Sequence, residues 1–172
     1  MGLGNLIVNK IKEERSKVTD ARQKEKFNIV QVREGDCQIQ VKVKDIDTYG
    51  IVLDYIAISR DTPILDVDLI NKKLEEQSEM VEERITYLLE DFRLIELDRI
   101  NKRAQLRSYP PHEKEDAKFY YEIVLDEGVR AHFQRYVYSI EKKRYEKITS
   151  QLTIETFERL VDDLAKSLCE KT

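Results

Sequence analysis

Phe119-Tyr120-Tyr121-Glu122-Ile123-Val124-Leu125, the turn Asp126-Glu127-Gly128, and Val129-Arg130-Ala131-His132-Phe133-Gln134-Arg135-Tyr136-Val137-Tyr138 form the stretch on which the fold turns. Both arms are rich in β-branched and aromatic residues, and an acidic pair followed by glycine divides them, so the segment predicts two antiparallel strands joined by a tight turn. Alternation places Phe119, Tyr121, Ile123, Phe133 and Val137 on one face, while Arg130, His132 and Gln134 share the other with Tyr136 and Tyr138. Tyr145 to Thr149 predicts a further strand after Glu141-Lys142-Lys143-Arg144. Three strands in succession make a meander.

Working outward, Phe92 to Leu97 and Ala104 to Arg107 predict a hairpin turning near Ile100-Asn101-Lys102. Between the two hairpins, Tyr109-Pro110-Pro111-His112-Glu113-Lys114-Glu115-Asp116 combines proline with dense charge and predicts a flexible loop. Upstream, Ile70, Leu74, Val81, Ile85, Leu88 and Leu89 keep a helical period, predicting a long helix over about 67–90 that follows the break at Asp61-Thr62-Pro63. Before it lies a first β block: Phe27, Ile29, Cys37, Ile39, Val41 and Val43 mark one face of a hairpin turning at Glu34-Gly35-Asp36. Ile51 to Ile58 reads as a strand apolar on both faces, interrupted by Asp54. Lys42 or Lys44 on the neighbouring strand is a natural partner for that carboxylate.

The chain ends in a helix whose stripe is Ile154, Phe157, Val161, Leu164 and Leu168, with Thr153 as N-cap and Leu152 and Phe157 as a hydrophobic staple. At the other end, residues 1–24 predict a short amphipathic helix continued by charge, peripheral to the rest. The expected fold is therefore one α+β domain over residues 1–172, with antiparallel strands in two β blocks separated by a long helix, order α-βββ-α-ββ-βββ-α.

Charged residues make up 37% of the chain and hydrophobic ones 41%, so the surface is densely charged, with a formal net charge of −4. Residues 99–147 run against that sign with 12 basic and 8 acidic side chains. No run of eighteen apolar residues is present, which predicts no membrane span, and the opening residues lack the basic region of a signal peptide. A cytoplasmic setting is the expectation, with Cys37 and Cys169 reduced rather than joined in a disulfide.

Motifs for chemistry are absent. The five glycines form no phosphate loop, and His112 and His132 have no metal-ligand spacing, so neither a metal nor a cofactor is expected and no catalytic residue can be named. Both histidines read as idle polar residues. What stands out is an excess of amphipathic faces, which points to association.

The order of elements, the pI of about 5.4 and the stripe Ile154, Phe157, Val161, Leu164, Leu168 resemble bacterial type III secretion chaperones. Those are small acidic α+β dimers with an amphipathic C-terminal helix that hold unfolded client segments. The resemblance implies a chaperone-like homodimer or a protein-partner complex, and carries over no individual residue.

The leading expectation is a non-enzymatic protein-binding or scaffold module whose partner surface includes Val52, Ile56, Ile58 and Ile85, as a C2 dimer or with another protein. One alternative is a small-molecule pocket between a curved sheet and the helix, lined by Phe119, Tyr121, Ile123, Phe133 and Val137. The other is a nucleic-acid-binding sheet, in which Tyr136 and Tyr138 stack bases while Arg130, Lys142, Lys143 and Arg144 track phosphates.

Overall fold

The computed structural model describes residues 2–20, 22 and 26–169. Its elements are α1 (Leu3–Ser16), β1 (Asn28–Glu34), β2 (Cys37–Ile46), β3 (Gly50–Arg60), α2 (Val67–Arg84), β4 (Asp91–Asp98), β5 (Arg103–Tyr109), β6 (His112–Lys114), β7 (Ala117–Asp126), β8 (Arg130–Ser139), β9 (Arg144–Ile148), β10 (Ser150–Thr153) and α3 (Ile154–Cys169). This is the expected order, with β6 and β10 as short additions. All strands join one antiparallel sheet with the path β1-β2-β3-β8-β7-β5-β4, to which β10 adds on β3, β6 on β7 and β9 on β8.

Register explains why the sheet buries one face. Val30, Val41, Ile56, Phe133, Ile123 and Leu106 are successive cross-strand partners, and Ile39, Ile58, Ala131, Leu125 and Ala104 form the next row. Every one of these side chains is at most 4% exposed. The apolar stripes of all three helices join the same core: Ile7 and Ile11 of α1, Leu74 and Val81 of α2, Phe157 and Leu164 of α3. Rows of this kind need a cover of matching width, and three helices side by side supply it.

Helix positions follow from local chemistry. Asp66 caps α2 by accepting from the Asp68 and Leu69 amides, and Thr153 Oγ1 caps α3 by accepting from the Thr156 amide. Leu152 and Phe157 are both buried, as the staple requires. α1 is not peripheral, because it packs on α3, β1 and β2 and its Ile7 and Ile11 are fully buried. It crosses α3 at Gly4, where an added Cβ would lie 2.8 Å from Glu158 Cα, and the Gly4 amide donates to Asp162 Oδ1 at 2.8 Å. Asp162 thus supplies the N-terminal acceptor that Gly2 lacks.

Four more expectations need correction. α2 stops at Arg84, because Ile85 leaves the helical region at φ −91° and ψ 79° to bury its side chain, and the following Tyr87 hydroxyl donates to Asp163 on α3. In β1 the buried residue is Val30, opposite Val41, whereas Ile29 is 58% exposed. The proline-rich segment is not wholly a loop, since β6 pairs with the start of β7. Cys37 and Cys169 form a disulfide, with Cα atoms 6.1 Å apart, because the α3 stripe lays the end of that helix over the start of β2. Among the described residues no helix is long and apolar enough to cross a membrane.

The disulfide links residues 132 positions apart, and removing a link of that span typically costs about 2–5 kcal/mol. Cys37→Ser should therefore lower the unfolding free energy by about 2–5 kcal/mol, read as a lower guanidinium midpoint measured without reductant, and an unchanged midpoint would show that the link is not formed in solution.

Candidate functional site

With α1, α2 and α3 on one side, the other face of the sheet lies open among the described residues, and its residues are also arranged in rows. The first row is Gln38, Ser59, Arg130, Asp126, Arg103, Asp98; the second is Gln40, Ala57, His132, Val124, Gln105, Glu96; the third is Lys42, Tyr55, Gln134, Glu122, Arg107, Arg93. Side-chain length shapes this surface. Ala57 and Val124 are short and flank His132 in the middle row, whereas the outer rows carry long polar groups.

The result is a trough running across the strands. A depression of about 370 Å³ lies over Ala57 and His132 between Gln38, Gln40 and Arg130, and a second of about 290 Å³ continues it over Val124 between Gln105, Glu122 and Glu96. From β2 to β4 the trough crosses five strand spacings, roughly 24 Å, the length of about seven extended residues.

Its walls are pre-set by bonds within the face. Gln31 donates to Gln40 at 2.5 Å, and Gln40 donates to the Tyr55 hydroxyl at 2.6 Å. Glu122, 9% exposed, accepts from Gln105 at 2.8 Å and from Arg107 at 3.1 Å. Arg130 is held by Asp126 at 2.7 Å and by Glu127 at 3.1 Å. These pairings fix rotamers before any ligand arrives, which lowers the entropy lost on binding.

A fork in the sheet organises one end. β3 pairs with β10 through Gly50 to Leu53 and with β8 from Tyr55 to Ser59, while β8 passes from β3 to β9 after Gln134. Asp54, at the split, has no opposite number on β2, because Lys42 faces Tyr55 and Val43 faces Leu53. Gln134, 2% exposed, repairs the break by donating to the Asp54 carbonyl at 3.0 Å and to its Oδ1 at 2.7 Å. Lys42 lies 3.3 Å from the other carboxylate oxygen, the neighbour expected from sequence. Leaving such buried groups unsatisfied costs about 1–3 kcal/mol each.

Beside the fork, the tyrosines form a continuous cluster. Tyr120 stacks on Tyr136 at 5.6 Å and meets the edge of Tyr145, which packs on Tyr138 at 4.7 Å. The Arg107 guanidinium sits over Tyr120 at 4.8 Å and over Tyr145 at 5.3 Å. Burial pushes the Tyr120 phenol well above its ordinary value.

The residues singled out from sequence divide between the two faces. Ile56, Ile58 and Ile85 are at most 1% exposed in the chain's own core, so a charged substitution at any of them would disrupt folding before it could report on assembly; Val52 is half-buried. Tyr121, Ile123 and Phe133 are also packed core, with Tyr121 stacked on Phe133 at 5.5 Å, and Phe119 and Val137 are half-buried. Arg130, Tyr136 and Tyr138 do share the open face, and Lys142, Lys143 and Arg144 lie in the exposed turn and strand beyond it. His132 is not idle: it stacks on Tyr55 at 5.3 Å, while exposed His112 on β6 lies 6.2 Å from Phe119. Among the described residues no group of three His, Cys, Asp or Glu side chains could hold a metal ion. Sequence reading passed over Gln38, Gln40, Gln105, Glu122 and Arg107, although each sits at a polar position of its strand's alternation; the missing information was which strands adjoin.

No protein-family model, curated protein or solved structure was found to match the chain.

Two expectations follow. Gln134→Leu should cost about 1–3 kcal/mol, read as a lower urea midpoint, because the Asp54 carbonyl loses its donor. Burial, aided by Lys147, holds the His132 imidazole below its usual value of 6.5. The unfolded chain therefore takes up this proton first as pH falls, and stability should drop from about pH 6.5 downward through the folded value. His132→Gln should flatten that part of a melting-temperature profile, and an equally steep profile would contradict the assignment.

Proposed function

We propose that the protein is a non-enzymatic, chaperone-like binding module that takes an extended segment of a protein partner in the trough on the open face of its sheet. The observation that carries this reading is the mixed chemistry around the trough, which offers donors and acceptors along its length: Gln38, Arg130, Asp126 and Arg103 on one wall, Glu122 on the other, and the amides of Gln40 and Gln105 in the floor row with Ala57 and Val124. A polypeptide backbone offers both N–H and C=O groups to such walls. A phosphodiester backbone offers acceptors only and would meet the carboxylates with like charge.

A second reading is favoured by one feature. Tyr136, Tyr138 and Tyr145 lie on the open face with Lys147, and the basic turn Lys142-Lys143-Arg144 adjoins them, an arrangement suited to stacking the bases of a single strand. Its weakness is charge, because two of the cations beside the tyrosines, Arg107 and Arg144, are already paired with Glu122 and Glu146.

Fluorescence anisotropy separates the two. A labelled pool of random heptapeptides should bind at 150 mM salt, with at least tenfold weakening in Ala57→Phe and Val124→Phe, which fill the trough without entering the core. A labelled twelve-nucleotide single strand should not bind measurably. Salt-sensitive binding of the oligonucleotide, lost when Lys142, Lys143 and Arg144 become alanine, with no binding of the peptide pool, would overturn the proposal in favour of the second reading. A second copy of the chain in the trough would appear in light scattering as twice 20.4 kDa, falling to one chain in Ala57→Phe.

A further inference from the structure

The trough is not uniform along its length, and its two ends differ in charge. Toward β2 it is lined by the amides of Gln38 and Gln40 and the imidazole of His132, with Arg130 and Asp126 paired to each other beside them. Toward β4, the depression of about 290 Å³ has Val124 as floor and Glu96, Asp98 and Glu122 in its walls, against the single cation Arg103. Arg103 is turned toward Asp126, 3.7 Å away, and Asp98 is committed to the β4–β5 turn, where it accepts from the Ile100 and Asn101 amides. That leaves Glu96, and the second oxygen of Glu122, whose first is ion-paired with Arg107 from outside the depression.

Glu122 is the decisive one. It is nine-tenths buried, and both of its hydrogen bonds, from Gln105 and Arg107, end on the same oxygen, Oε2. Oε1 accepts no hydrogen bond from the described residues and belongs to a side chain that lines the depression. Glu96, exposed on β4 across from Gln105, forms no ion pair among the described residues. Both side chains line the depression floored by Val124.

We infer that this end of the trough is a subsite for a basic side chain, lysine or arginine, of the bound segment, with its aliphatic stem on Val124 and its charged head between Glu122 Oε1 and Glu96. The inference rests on the peptide reading above and adds to it a chemical preference. A half-enclosed ion pair with one partner already fixed by Gln105 and Arg107 is a stronger discriminator than an exposed pair, because the carboxylate is not free to turn away into solvent.

The test uses two labelled heptapeptide pools that differ only at the fourth position, lysine in one and norleucine in the other, with anisotropy read at 150 mM salt. The wild-type protein should bind the lysine pool about tenfold more tightly. Glu122→Gln and Glu96→Gln, each checked for an unchanged melting temperature, should bring the ratio toward one, and Glu96→Lys should invert it. Should Glu122→Gln fail to fold, the two Glu96 variants carry the test alone. Equal binding of both pools by the wild type would overturn the subsite while leaving a peptide-binding trough; a preference for lysine that survives both glutamine variants would place the cation elsewhere and overturn it too. Binding of neither pool would remove the trough reading and the subsite together.

Discussion

Pairing of β3 with β8 is the constraint from which the rest of the structure follows. It joins two hairpin systems separated by more than seventy residues, and it does so in the one parity that sets Ile56 opposite Phe133 and Ile58 opposite Ala131. A slip of one residue would turn β8 over relative to β3, sending Phe133 and Ala131 to the other face and bringing His132 and Gln134 into the core. The register thus fixes at one stroke which face three helices cover and which face stays open.

The same pairing cannot run the full length of both strands, because each is ten or eleven residues long and only five residues of each pair. β9 and β10 fill the resulting fork, reversing at Thr149 so that one lies on β8 and the other on β3. Asp54 and Gln134 sit at the branch, and their hydrogen bonds replace the ladder bonds lost there. Beyond the fork the tyrosine cluster closes the face; before it, Ala57 and Val124 leave the trough. Small residues flanked by long polar ones, on a sheet whose other side is fully packed, make a surface that can accept a chain without rearranging the core.

Much of this fold was legible in the residues. Helical and two-residue periods placed all three helices and the principal strands, Thr153 and Leu152 marked the start of α3, and Asp54 pointed to its lysine. What could not be read was adjacency. Ile51 to Ile58 reads as apolar on both faces because the irregularity at Asp54 shifts the buried parity from Ile56 and Ile58 to Ile51 and Leu53, which alternation alone does not reveal. Ile29 reads like Val30 until Val41 is known to be the partner of the latter. The disulfide depends on where α3 ends over β2, a tertiary fact. For the same reason the trough was invisible: Gln40, Ala57, His132, Val124 and Gln105 come from five strands, and each is unremarkable in its own.

The central claim is that the open face, and not the helix layer, receives an extended polypeptide. The most direct measurement is a side-chain amide and backbone shift map by NMR during titration with a heptapeptide pool. The account predicts movement of the Gln38, Gln40 and Gln105 amide signals and of β2, β3, β8, β7 and β5 backbone signals, with α1, α2 and α3 unmoved. Shifts concentrated on the helices, with those glutamine amides unchanged, would contradict it.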